Sequence, residues 1–124
     1  MWLAAYFLAR CGMPGGRAGY PNPPARLGTS TWGDAYAMFW PALGDGRDLT
    51  AFSNSLKNAR DTFDSHLGIG RVGWRADNST GASREPQPLP TLGVAILQEW
   101  SERSDTELWV RVSRWVARPA QSQV

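Results

Sequence analysis

The chain has very little of the chemistry that most enzyme sites require. Its 124 residues include one cysteine, Cys11, and one histidine, His66. One cysteine excludes an internal disulfide, and the two residues together are too few for a zinc site of the usual three or four Cys and His ligands. They also support no specific Cys-His or Ser-His nucleophile. We therefore predict no catalytic residue, no metal and no cofactor, and the lone cysteine suits a reducing cytoplasm.

A long hydrophobic run is also missing. The longest apolar stretch, Met1 to Ala9, is far below the roughly 20 residues that span a bilayer. No basic region precedes this stretch and no clear cleavage site follows it, which argues against a secretion signal. We expect no membrane association and a cytoplasmic location.

Lysine is nearly absent, since twelve of the thirteen basic residues are arginine. The formal net charge is only +2, but residues 1–28 carry +3 and residues 47–75 carry +2. Such a concentration is expected where one face of a protein meets phosphate. Tryptophan is abundant by contrast, with seven in the chain, and so many indoles need either a core or a binding surface.

Hydrophobic spacing predicts a mainly α fold, a compact bundle of about five helices joined by Gly- and Pro-rich loops. The second helix is expected to start after Thr29 or Ser30, where Thr31 and Asp34 have the spacing of a capping box, and to close at the turn Gly44-Asp45-Gly46. Asp48 or Thr50 is expected to cap the third helix, and Ser104 with Glu107 to form a capping box for the last. The other four predicted helices are Trp2–Arg10, Thr50–Leu67, Thr91–Arg103 and Thr106–Ala117. We expect one domain over residues 1–118 and a frayed tail over residues 119–124.

The second and third helices follow one another in the order of a helix-turn-helix unit. Their connection, Gly44 to Leu49, is slightly longer than in the tightest examples. After the third helix, Arg71 to Arg75 has the Val and Trp content of a short strand and is flanked by glycines. A short β-hairpin or wing is therefore expected at this position.

The third helix is the strongest candidate for a functional surface. Its apolar residues recur every three or four positions and so form one stripe. Asn54, Asn58, Asp61 and Ser65 lie opposite this stripe. Lys57 flanks them, and Arg60 lies near the edge of the stripe. Asparagine can pair bidentately with adenine, and lysine can contact guanine or phosphate. This face predicts binding to double-stranded DNA.

The segment after the helix extends the predicted interface. Arg71 and Arg75 are placed to hold the backbone or enter the minor groove, and Trp74 to stack on a base or cover the core. The full set of predicted DNA-binding residues is Asn54, Lys57, Asn58, Arg60, Arg71, Trp74 and Arg75. An ordinary solvated face has the same composition, with Asp61 and Asp64 able to neutralise Lys57 and Arg60.

Two other function classes remain open. One is a protein–protein interaction module that uses exposed tryptophans, with Trp40, Trp109 and Trp115 as candidates. The other is a small metal-dependent nuclease, which requires several carboxylates to converge. Its candidate ligands are Asp45, Asp48, Asp61 and Asp64.

Three segments resemble the N-terminal region that precedes an HNH nuclease domain in some bacterial restriction-type endonucleases. They are MWLAAYFLARCG, LGTSTWGDAYAMFWPALGDGR and SLKNARDTFDSHLGIGRVGWR, within a resemblance over roughly residues 1–115. The resemblance implies the target-recognition part of a DNA-cleaving system, with a nuclease domain or subunit as a partner. One His and one Cys cannot supply an HNH centre with its structural Cys pairs, so it implies no catalytic residue in this chain.

Overall fold

A computed structural model describes residues 1–13, 21–67 and 88–117, and these ranges are mainly helical, as predicted. The α-helices are α1 Trp2–Cys11, α2 Trp32–Leu43, α3 Leu49–Leu67, α4 Thr91–Trp100 and α5 Asp105–Val112. Two short 3-10 helices cover Ala25–Leu27 and Ser113–Trp115. The predicted wing and the tail at 119–124 lie outside the described residues. Among the described residues, no helix combines the length and apolar character needed to cross a bilayer.

Helix α1 is the centre of the core. Residues 4–9 are all buried, because the helix is apolar around its whole circumference. It packs against α3, α4 and α5. The ring of Phe63 in α3 meets Trp2 and Tyr6 edge-on, with centroids 5.7 and 5.3 Å apart. This contact attaches the second half of α3 to the core.

Side-chain caps define the starts of three helices. The Thr31 hydroxyl oxygen accepts from the Asp34 amide at 3.1 Å, and Asp48 Oδ1 accepts from the Ala51 amide at 2.7 Å. Both halves of a capping box link Ser104 and Glu107 at the start of α5. These caps satisfy N–H groups that have no partner within the helix. The predicted caps at Thr31 and Ser104 are confirmed, and of the two candidates for α3, Asp48 and Thr50, the structure has Asp48 as the cap.

Helix α4 ends three residues before the predicted end. It stops at Trp100 rather than Arg103, and α1 supplies the reason. The Arg10 guanidinium donates to the carbonyl oxygens of Trp100 and Arg103. A long-range cation thus satisfies acceptors that a longer helix would use internally.

The last helix is also shorter than predicted. It gives way to a 3-10 turn at Ser113, and the backbone is extended at Val116. The Ala117 amide then donates to the carbonyl oxygen of Met38 in α2 at 2.8 Å. The helical conformation ends before Ala117, whose amide makes this tertiary hydrogen bond. No pattern in the local sequence indicates the bond.

Candidate nucleic-acid interface

The first half of α3 presents the predicted polar face to solvent. Asn54, Lys57 and Asn58 are all exposed, and positions three and four apart lie side by side on a helix. The exposed stripe begins at Thr50, so it extends about 12 Å along the helix at 1.5 Å per residue. That length is comparable to the roughly 12 Å width of the DNA major groove.

The neighbouring carboxylates are withdrawn from this face. The Asp61 side chain is 16% exposed, and Asp64 is 5% exposed. In the described part of the chain, no ion pair joins Lys57 to Asp61. The expected neutralisation of Lys57 by Asp61 is therefore wrong for this structure. The exposed face consists of two amides and one uncompensated ammonium group.

Arg60 lies away from the exposed face. The residue is 3% exposed, and its guanidinium carbon lies 4.1 Å from the centroid of the Trp32 ring in α2. Its Nη2 donates to Asp61 Oδ1 at 3.1 Å. In this conformation Arg60 cannot meet a phosphate, because α2 covers the edge of the apolar stripe where Arg60 lies. Its role is to join α2 to α3.

Tyr36 completes this buried polar cluster between α2 and α3. Burial raises the pKa of Tyr36 to about 12; nearby Arg60 opposes the shift, and Asp61 and Asp64 add to it. Nε and Nη1 of Arg60 make no hydrogen bond in the described part of the chain. The Trp32 ring face supplies part of the electrostatic compensation that these N–H groups lack. Sequence reasoning missed this cluster, although the position of Arg60 at the stripe's edge was a signal for it.

Most arginines of the described ranges lie over aromatic rings. Six such contacts occur there, with guanidinium carbons 4.1 to 5.9 Å from the ring centroids. The pairs are Arg10–Tyr6, Arg26–Trp109, Arg47–Phe52, Arg60–Trp32, Arg103–Trp100 and Arg111–Trp115. The aliphatic part and the guanidinium group of these arginines thereby cover aromatic surface. Much of the positive charge that composition assigned to a phosphate-binding face is used within the protein instead.

In the described ranges, the tryptophans do not form the exposed cluster that an interaction module would need. Trp109 and Trp115 are half-buried, with Arg26 and Arg111 over their rings. Of the three candidates, Trp40 is exposed. Of the three tryptophans considered for a protein–protein interaction module, Trp40 therefore remains a candidate.

The four candidate metal ligands are also separated by burial. Asp45 and Asp48 are exposed in the connection between α2 and α3, whereas Asp64 is buried and Asp61 is half-buried. Among the described residues, no group of three or more His, Cys, Asp or Glu side chains could hold a metal ion. The structure brings together no two-metal carboxylate site in those ranges.

A cavity of about 290 Å³ lies between the end of α1 and the start of α5. Cys11 lines it and is half-buried. Three charged residues line it. Arg10 and Asp105 pair, with Arg10 Nε 2.8 Å from Asp105 Oδ1, and the guanidinium of Arg26 lies over the Trp109 ring. The charged groups that line the cavity are thus engaged within the protein, so they offer a ligand little polar recognition.

The remaining predicted DNA contacts, Arg71, Trp74 and Arg75, lie outside the described residues. No protein-family model, characterised protein or solved structure matches the chain. The resemblance to the region before an HNH nuclease domain therefore stays a prediction.

Proposed function

We propose that this chain binds double-stranded DNA through the exposed half of α3, as a non-catalytic target-recognition module of a restriction or defence-type system. One observation carries the proposal: Asn54, Lys57 and Asn58 share an exposed face from which the nearby carboxylates are withdrawn. The HNH resemblance supplies the biological setting, with a nuclease domain or subunit as the partner. The single cysteine supports a reducing cytoplasm as the compartment.

The side chains on this face suit base and phosphate contacts. The amides of Asn54 and Asn58 can each donate and accept, which matches N6 and N7 of adenine in the major groove. The Lys57 ammonium group adds a contact to phosphate or to guanine. All three lie within two turns of one helix, so a single docking orientation presents them together.

Helix α2 packs against α3 and supports it at a part of its surface that is buried. The two helices are joined by residues 44–48 and pack against each other. The Trp32–Arg60 stack lies in this contact, on the side of α3 that faces α2. In the proposal the pair acts as a helix-turn-helix-like unit, in which α3 enters the groove and Arg71 and Arg75 contact the backbone.

Salt-titrated binding to duplex DNA tests the proposal. Fluorescence anisotropy with labelled duplexes is expected to show affinity that falls with salt, because Lys57 displaces counterions from phosphate. Lys57→Ala should weaken binding to all duplexes and reduce the slope of log K against log salt by about 1. Arg114→Ala is the matched control, since Arg114 is an exposed cation outside α3. Absence of binding at low salt, or equal effects of the two substitutions, would contradict the proposal.

A further inference from the structure

Trp40 differs from the other tryptophans of the described ranges. It is 38% exposed, and among the described residues no cation or second ring lies against it. Its position is nevertheless fixed. The indole Nε1 donates to the carbonyl oxygen of Arg47 at 2.8 Å. Gly44 lies so close that a Cβ atom there would be 2.5 Å from Trp40 Cδ1. The turn thus holds the indole while part of its surface stays open.

The exposed indole lines an open pocket of about 350 Å³. The other walls are Pro41 and the turn residues Gly44 to Arg47. This volume is at the lower end of the range for small-molecule sites, which is roughly 300 to 1,000 Å³. An open pocket of this size suits one long side chain of a partner protein better than a large ligand.

The accessible charge in the pocket is negative. Asp45 lines it and is exposed, and its carboxylate makes no ion pair or hydrogen bond within the described ranges. Arg47 also lines the pocket, but its guanidinium is directed elsewhere. It donates to Ser55 Oγ at 3.1 Å and lies over the Phe52 ring. An occupant therefore meets an aromatic surface beside a free carboxylate.

We propose that Trp40 and Asp45 form a docking point for one arginine side chain of a partner protein. A guanidinium stacks on an indole and donates to a carboxylate in the same plane, which an ammonium group does less well. This protein uses the same pairing internally, with arginines over Trp32, Trp100, Trp109 and Trp115. The Asp45 carboxylate repels a phosphate backbone, so the docking point is separate from the proposed DNA face and does not depend on it.

The test uses the full chain and a single arginine as its own probe. N-acetyl-arginine amide is titrated into ¹⁵N-labelled protein, and the indole Nε1–H resonance of Trp40 is followed after assignment with Trp40→Phe. The neutral isostere N-acetyl-citrulline amide controls for stacking without charge. We expect a saturable shift of the Trp40 resonance with arginine in the millimolar range, and a weaker response to citrulline.

Asp45→Asn tests the contribution of the carboxylate, because it removes the negative charge. It preserves the turn, since asparagine tolerates the positive φ of 53° at this position. It should weaken arginine binding about three- to fivefold. Asp34→Asn, an exposed acid at the start of α2, is the matched control and should change nothing. Equal binding of citrulline, no saturable shift, or equal effects of the two substitutions would overturn the proposal. A Trp40 shift with duplex DNA but not with arginine would also overturn it.

Discussion

In the first half of α3 the polar residues Asn54, Lys57 and Asn58 are exposed, whereas in the second half the polar residues Arg60 and Asp64 are buried. Both sets belong to one regular helix of 19 residues. The difference comes from the neighbouring elements, since α2 covers Arg60 with Trp32. One helix therefore combines a structural polar cluster with a free polar face, and only the free face can serve as an interface.

The largest expected loss of stability comes from a substitution in the buried second half of α3. Arg60→Ala removes the stack on Trp32 and leaves Asp61 without the guanidinium that lies 3.1 Å away. Breaking a buried pair from one side typically costs several kcal/mol, and the residual exposure of Asp61 reduces this. We expect the free energy of unfolding to fall by about 3 kcal/mol in urea denaturation.

Lys57→Ala is the matched control on the exposed half. A surface substitution of this kind should change the free energy of unfolding by less than about 0.5 kcal/mol. If the two substitutions destabilised the protein equally, the division of α3 into a structural half and a free half would be wrong.

Tyr36 provides a pH test of the same buried cluster. Its pKa is raised to about 12 from an ordinary value of 10.0. Below pH 10 the phenol is protonated in both states. Above it the unfolded state loses the proton first, so stability should fall by up to about 1.4 kcal/mol per pH unit between pH 10 and 12. Unfolding of Tyr36→Phe over this range should lack that component, and identical pH profiles would contradict the assignment.

The N-cap of α3 tests the exposed half with a smaller effect. Asp48→Ala removes the acceptor for the Ala51 amide and should lower the free energy of unfolding by about 1 kcal/mol. Asp48→Asn keeps a side-chain oxygen at the cap, so it should restore most of the loss. The urea midpoints of the unsubstituted protein and the two variants measure these differences. If Asp48→Asn were as unstable as Asp48→Ala, Asp48 would not act as a cap.

Much of the fold could be predicted from local signals. The apolar run of α1, the apolar period of α3 and the helix caps depend on residues close in sequence. The structure has both helices where they were predicted, with caps at Thr31, Asp48 and Ser104. Helix ends were less predictable. The Ala117 amide that bonds to Met38 depends on a partner 79 positions away.

The candidate site was predictable only in part, for the same physical reason. Helical period places Asn54 and Asn58 opposite the apolar stripe, and both are exposed. The same period places Arg60 at the stripe's edge, where its exposure is decided by how far α2 reaches over α3. The sequence alone does not show whether an arginine at such an edge position contacts solvent, phosphate or an indole ring.

Chemical-shift mapping with duplex DNA tests most directly whether the exposed half of α3 binds DNA. Backbone amide and Asn side-chain resonances are followed as a short duplex is titrated into ¹⁵N-labelled protein at low salt. We expect perturbations concentrated between Thr50 and Asn58, including the Asn54 and Asn58 side-chain amides, with small changes around Arg60 and Asp64. Saturating DNA that leaves these resonances unchanged, or that perturbs another surface instead, would contradict this expectation.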